Sequence, residues 1–254
     1  MTDLIKTRVD NGVLHIVMDR ADKKNAITQD MYLGLTEALV KAREDETIRV
    51  AVISAAGESF SAGNDIADFM QLGQSDTTLV DTQVFRFLKA LADLDKPLLA
   101  AVRGRAVGVG LTMLLHCDMV VVAEDAQLSA PFINLALVPE AASTLLLPRV
   151  IGHQRAFEVF ALGEVFSGQQ AYDWGLANRV VPADQVDAVA TELAQKVAQR
   201  APNAIRFTKS LMRDPAGLWE LMIKEGRIFG DQMKSPEAIE AFTAFIQKRA
   251  PNFG

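Results

Sequence analysis

Residues 96–118, Lys-Pro-Leu-Leu-Ala-Ala-Val-Arg-Gly-Arg-Ala-Val-Gly-Val-Gly-Leu-Thr-Met-Leu-Leu-His-Cys-Asp, constrain the fold more than any other stretch. Leu98 to Val102 is an apolar run too short for a helix, headed by Pro97, which a strand tolerates at its first residue. Gly104, Gly108 and Gly110 follow, and behind them Leu111 to Cys117 suits a buried helix. Two readings of the glycines stay open. They permit close strand-to-helix packing, or they leave unpaired backbone N–H groups facing outward to hold a developing negative charge. Their spacing fits neither Gly-x-x-x-x-Gly-Lys-Ser/Thr nor Gly-x-Gly-x-x-Gly, so a triphosphate loop and a dinucleotide fingerprint are both excluded.

Strands and helices alternate around this stretch. Val13 to Met18 is strand-like behind the Asn11-Gly12 turn signal, and Thr28 can cap a helix carrying Met31, Leu35, Ala38, Leu39 and Ala42. Val50 to Ser54 is the next buried strand, followed by a second small-residue turn, Ser59-Phe60-Ser61-Ala62-Gly63-Asn64-Asp65. Residues 66–78 are polar and aperiodic and read as a mobile cover. Val80, Val84, Phe87, Leu88 and Leu91 mark a helix, Met119 to Ala123 and Arg179 to Val181 two further strands. Beyond Pro182 the pattern is helical only, with a stripe at Val186, Val189, Leu193 and Val197 and an N-cap at Ser235-Pro236. The expected architecture is α/β, with a core over 1–182 and a helical region over 183–254 that serves oligomerisation or covers the site.

A net charge of −6 without any lysine- or arginine-rich block argues against nucleic acid and anionic membranes as partners. No apolar run approaches the roughly 18–20 residues that span a bilayer, and the first residues carry neither a secretory nor a transit pattern. A cytoplasmic location is expected. The single Cys117 excludes an internal disulfide framework.

The chemistry on offer is narrow. His15, His116 and His153 sit in strand, core-helix and helix-start contexts, and no Gly-x-Ser-x-Gly elbow or metal-ligand spacing exists. What remains is the pair of strand-end turns, Ser61-Ala62-Gly63 and Gly108-Val109-Gly110, whose backbone N–H groups could together form an oxyanion hole.

Six stretches carry a resemblance to the crotonase superfamily, the enoyl-CoA hydratase/isomerase family. They are Lys24-Asn25-Ala26, Phe60 to Asp65, Lys96 to Gly110, Cys117-Asp118, Ala171-x-x-Trp174-Gly175-Leu176 and Ala244 to Arg249, in the family's order. The resemblance implies a spiral of β-β-α units with a helical C-terminal trimerisation region, assembled as a homotrimer or a dimer of trimers. It also implies an acyl-coenzyme A thioester as substrate and no separate cofactor. By position, Ala62 and Val109 would supply the two oxyanion N–H groups beside Gly108, although Val109 replaces the middle glycine of the family's usual triplet. Lys24, Ala26, Asp65 and Ile66 fall where the family lines the coenzyme arm, and Phe229, Phe245 and Lys248 where its helical end approaches it.

The acids depart from the hydratase pattern. Hydratases of the family carry one glutamate two residues after the glycine triplet and another after the following proline; this chain has Thr112 and Phe132 there. Its carboxylate is instead Glu140, in Val138-Pro139-Glu140-Ala141-Ala142, a loop that resembles that of the 3-enoyl-CoA to 2-enoyl-CoA isomerases. The resemblance therefore implies a double-bond isomerase with Glu140 as the single acid/base. The alternatives are a hydratase with atypical acids, an aryl-CoA dehalogenase-like enzyme with its acid at the Glu140 position, and a non-catalytic acyl-CoA binder or RNA-associated homologue, the last disfavoured by the acidic charge. Phe69, Met70, Phe85 and Phe132 are candidates for the pocket floor.

Overall fold

The computed structural model describes residues 2–68 and 81–254. In chain order its elements begin with β1 (Ile5–Asp10), β2 (Val13–Met18), α1 (Gln29–Glu44), β3 (Val50–Ala55), α2 (Gln83–Asp93), β4 (Leu98–Val102), β5 (Arg105–Val107), α3 (Val109–Thr112), β6 (Met119–Ala123) and β7 (Gln127–Ser129). They continue with α4 (Ser143–Ile151), α5 (His153–Leu162), β8 (Phe166–Ser167), α6 (Gly168–Asp173), β9 (Arg179–Val181), α7 (Val186–Ala198), α8 (Pro202–Met212), α9 (Pro215–Met233) and α10 (Pro236–Ile246).

Asn11 and Gly12 both have positive φ, 49° and 78°, the geometry that a two-residue hairpin turn demands. They join β1 to β2 in antiparallel register, Asp10 opposite Val13. Sequence reading missed β1, an edge strand whose polar residues break the apolar alternation. From β2 onward the main sheet is parallel, in the order β1-β2-β3-β4-β6-β9. Every residue of β4 is buried, as a strand covered on both faces requires.

A second sheet, β5-β7-β8, lies beside the first. Main-sheet strand β4 is followed at once by β5, and β6 by β7, so the chain steps twice from one sheet to the other before its helix. Sequence reading expected one continuous turn where β5 now stands. The turn at Gly104 allows the step: a Cβ there would lie 1.9 Å from the Glu58 carbonyl oxygen. The helix expected over Leu111 to Cys117 is also corrected. It is four residues of α3 followed by a 3-10 turn, Met113–His116, which ends where the Cys117 N–H reaches back only to Leu114.

Thr28 caps α1 by accepting from the Met31 N–H, and Ser235 caps α10 by accepting from the Ala238 N–H, as expected. α2 begins at Gln83; Val80, Phe69, Met70 and most of the expected cover over 66–78 lie outside the described residues. All strands precede Pro182, yet α7 packs on β3, β4 and β6 and buries Val186, Ala190 and Ala194 in the main core. By packing, the strand-bearing core thus extends through α7.

Asp118 ties three elements together. Its carboxylate accepts from the Leu98 N–H at 2.8 Å and from Lys209 Nζ at 2.7 Å, and Lys209 also donates to the Lys96 carbonyl. Lys209 is 7% exposed, so removing its counter-charge strands an ammonium in the interior. Asp118→Ala should cost about 3 kcal/mol of stability, read as a lower urea midpoint.

Candidate active site

The two small-residue turns meet. Ser61 forms a parallel bridge to Ala106 of β5, with the Ser61 N–H on the Arg105 carbonyl and the Val107 N–H on the Ser61 carbonyl. Ser61 Oγ donates to the Asn25 carbonyl at 2.8 Å and accepts from the Gly63 N–H. Gly110 presses against Ser61: a Cβ there would sit 3.0 Å from Ser61 Cβ. Gly108 differs. It has φ 55° with open space where a Cβ would point, and it borders a cavity of about 360 Å³. Close packing therefore holds at Gly110, while the Gly108 N–H is taken by the Ser129 carbonyl at 2.9 Å and Gly108 contributes an open turn at the cavity.

Among the described residues, the N–H groups left without an acceptor at this junction are those of Asn64, Val109 and Gly110, and of these Asn64 and Val109 line the cavity. This corrects the expectation for Ala62, whose N–H donates to the Lys24 carbonyl at 2.9 Å. Lys24 and Asn25 both have positive φ, 51° and 53°, and that bend lays the Lys24 carbonyl against the turn. Asn64 instead pairs with Ile27: its flanking residues bond there, the Ile27 N–H on the Gly63 carbonyl and the Asp65 N–H on the Ile27 carbonyl. The Asn64 amide is left over, and its side chain is fixed by Tyr32, whose hydroxyl donates to Asn64 Oδ1 at 2.5 Å.

Asn64 and Val109 both line the 360 Å³ cavity, together with Ile66, Gly108, Phe132, Phe229 and Phe245. Asn64 and Phe229 also line a narrower cavity beside it, walled by Ile27, Val84, Phe85 and Leu88, and Glu140 opens into that one. Glu140 is 8% exposed, and its loop neighbours Leu137, Ala141 and Ala142 are buried. Thr112, one turn beyond Val109, donates its hydroxyl to Glu140 Oε1 at 2.5 Å, while Oε2 has no partner among the described residues. Burial pushes the Glu140 carboxyl up to about 7; the Thr112 bond opposes that rise and the nearby Glu225 adds to it. A buried carboxylate with one unpartnered oxygen lines the narrower cavity, which shares Asn64 with the larger cavity where the Asn64 and Val109 N–H groups lie. Such an arrangement is equipped to move protons beside a stabilised oxyanion.

Residues 8–254 match the model of the enoyl-CoA hydratase/isomerase family. The chain belongs to that family. It is 34% identical to the carnitinyl-CoA dehydratase of Salmonella typhi, with 95% of each chain covered. It is 30% identical to the 1,2-epoxyphenylacetyl-CoA isomerase of Escherichia coli (strain K12), with 100% of this chain and 99% of that protein covered. Among solved structures, OdaA of Pseudomonas aeruginosa is 44% identical and superposes with a TM-score of 0.91 over 96% of this chain and 99% of that one. An enoyl-CoA hydratase/isomerase from Pseudoalteromonas atlantica T6c is 38% identical, with a TM-score of 0.94 over 99% and 100%. The mixed α/β spiral is therefore the crotonase fold, and the family acts on acyl-CoA thioesters.

Not every position carried over from the enoyl-CoA hydratase/isomerase family gathers at the cavity within one chain. Asp65 lines the narrower cavity, where its carboxylate is held by Arg20 at 2.7 Å. Lys24 borders a separate surface cavity with Glu58, Arg103 and Asp187, and the Ala26 carbonyl is taken by Arg20 at 2.9 Å. Lys248 is exposed beyond the end of α10 and lines none of these cavities. Sequence reading missed Asn64, Thr112 as a hydrogen-bond donor, and Asn25 as a clamp. Buried Asn25 donates to the Ala56 and Ser59 carbonyls and accepts from the Arg20 N–H. The signal for Asn64 was its place just past Gly63, one residue further along the turn that was already singled out. Among the described residues, no helix is long and apolar enough to cross a membrane.

Proposed function

We propose that this enzyme moves the double bond of a 3-enoyl-CoA to the 2-position, with Glu140 as the single acid/base. The observation that carries the reading is the buried Glu140 carboxyl, raised to about 7, with one oxygen left without a partner among the described residues, in a side chain that lines the narrower cavity. Glu140 takes the proton from C2, and that electron pair passes through the carbonyl carbon onto the thioester oxygen. The Asn64 and Val109 N–H groups hold the resulting dienolate oxygen. Glu140 then returns the proton to C4, which sets the double bond between C2 and C3. One carboxylate suffices because the proton leaves and arrives on one face of a planar anion.

A hydratase must also activate water. The two positions that resemble the hydratase acids hold a hydroxyl already donated to Glu140 and a phenyl ring. Phe132 is buried and stands edge-on to Phe229, 6.5 Å between ring centres. The second reading, hydration or dehydration with atypical acids, is favoured by the carnitinyl-CoA dehydratase relative. A third, a non-catalytic acyl-CoA binder, predicts binding without turnover.

The three readings separate in one assay. Purified protein incubated with 3-hexenoyl-CoA should yield 2-hexenoyl-CoA, while crotonyl-CoA should remain unhydrated. Conversion of crotonyl-CoA to 3-hydroxybutyryl-CoA at a comparable rate overturns the isomerase reading. Binding of both thioesters without product supports the binder.

We further propose a homotrimer or dimer of trimers in the cytoplasm. Supporting the assembly, α8 exposes Phe207, Leu211 and Met212 at 68%, 88% and 79%, an apolar face that a lone chain leaves in water.

A further inference from the structure

Directly after Glu140 the chain does something costly. Ala141 and Ala142 both have positive φ, 63° and 55°, conformations that residues with a Cβ keep only when their surroundings hold them there. Ala142 is also the residue at which α4 begins, and it has no side chain with which to cap the helix.

The acceptor comes from another helix. Glu225 of α9, 4% exposed, accepts from the Ala142 N–H at 2.6 Å through Oε2. Through Oε1 it accepts from the Thr144 N–H at 3.2 Å and the Thr144 hydroxyl at 2.5 Å. Burial pushes the Glu225 carboxyl above the usual carboxylate range, and the three donors converging on its two oxygens oppose that rise by favouring the ionised form. The opposite side of the same loop is held by buried His116. Arg213 can only donate, so the His116 Nδ1 that it meets at 3.0 Å accepts, and Nε2 carries the hydrogen toward the Ala141 carbonyl at 2.8 Å. Burial holds His116 neutral, its affinity for a second proton lowered to about 3.

We infer that Glu225 is a positioning residue for Glu140: it caps the strained loop from α9 and sets the electrostatic environment in which the base gains and loses its proton. This inference rests on the reading of Glu140 as the base. A carboxylate that only stabilised the fold could sit anywhere on α9. This one grips the residues two and four places past Glu140, and its negative charge favours the protonated form of that base. Among the described residues, the other titratable groups around the Glu140 cavity are few. They are Tyr32 on α1, itself held protonated by burial and by Glu140, and Asp65 and Asp68 along the wall. Asp65 is paired with Arg20, and Asp68 accepts from the Gln29 N–H. Glu225 is the one whose charge raises Glu140's proton affinity.

The test compares wild type, Glu140→Gln and Glu225→Gln by two readouts. In full-length protein with 13C-labelled glutamate side chains, the carboxyl resonance absent from Glu140→Gln reports the titration of Glu140. Its midpoint should fall to lower pH in Glu225→Gln, because a neighbouring negative charge has gone. With 3-hexenoyl-CoA, kcat of Glu225→Gln should drop by about 10- to 100-fold while KM stays within about twofold, as expected when the base is displaced but the thioester still binds. An unchanged midpoint overturns the inference, as does an unchanged kcat. Should Glu225→Gln not fold, Thr144→Val, a change at an exposed position, removes one of the three donors. Its kcat should fall by about threefold or more, and a wild-type kcat overturns the inference. If instead Glu140→Gln itself keeps wild-type turnover while the titration midpoint still shifts, the catalytic reading of Glu140 has failed and the structural coupling between the two glutamates stands.

Discussion

Glu140→Gln should cut turnover of 3-hexenoyl-CoA by about 100- to 10,000-fold, the contribution of a positioned acid/base group, with thioester affinity nearly unchanged. The same substitution should stabilise the protein at neutral pH and above. The carboxyl that titrates at 4.5 in the unfolded chain titrates at about 7 when folded, so the folded state holds its proton more tightly. The favourable contribution is present below pH 4.5 and is lost as pH rises toward 7, leaving an ionised, desolvated carboxylate that weakens the fold by about 3 kcal/mol. Glutamine has no charge to bury and can still accept from Thr112. At pH 8 the urea midpoint of Glu140→Gln should therefore exceed that of wild type, and at pH 4 the two should converge. Activity lost while stability is gained distinguishes a base from a structural glutamate, whose removal would lower both. In the wild type, kcat/KM should fall as pH drops below about 7, because the protonated carboxyl cannot take the C2 proton.

How much of this was legible in the sequence depends on the range of the interactions involved. Strands such as Leu98 to Val102 and Met119 to Ala123 are continuous apolar runs because both faces are covered, and such runs are visible locally. Caps at Thr28 and Ser235 were equally local. The short strands β5, β7 and β8 were not, since two or three residues carry no period, and their pairing with one another and with Ser61 is decided only when the sheets meet. The site followed the same division. Glu140 stood out as a carboxylate among apolar residues in a loop resembling that of the isomerases. The oxyanion turn was also visible, but the choice between Ala62 and Asn64 depends on the Lys24 carbonyl, 38 residues before Ala62, which takes the Ala62 N–H for itself. Glu225 lies 83 residues beyond Ala142, whose N–H it accepts, and nothing in the sequence around it points to that partner.

The oxyanion hole makes the second large prediction. Val109→Pro should lower turnover by about 100- to 1,000-fold, the typical loss when one such donor is removed. Val109 suits the substitution. It is the first residue of α3, where a helix accepts proline because that N–H has no intrahelical partner. Its N–H has no acceptor among the described residues, so deleting it breaks no hydrogen bond of the folded chain. The side chain is 1% exposed and proline is close to valine in volume, which limits the packing cost. Circular dichroism should thus remain that of wild type. The loss should appear in kcat more than in KM, because a 3-enoyl thioester oxygen is uncharged in the ground state and gains its charge only as the C2 proton leaves. Ala62→Pro makes the contrast. Its N–H is already spent on Lys24, so that change should show first as a lower unfolding midpoint through the broken Lys24 bond. A folded Val109→Pro enzyme with near-normal kcat would mean that the dienolate oxygen is held elsewhere than between Asn64 and Val109.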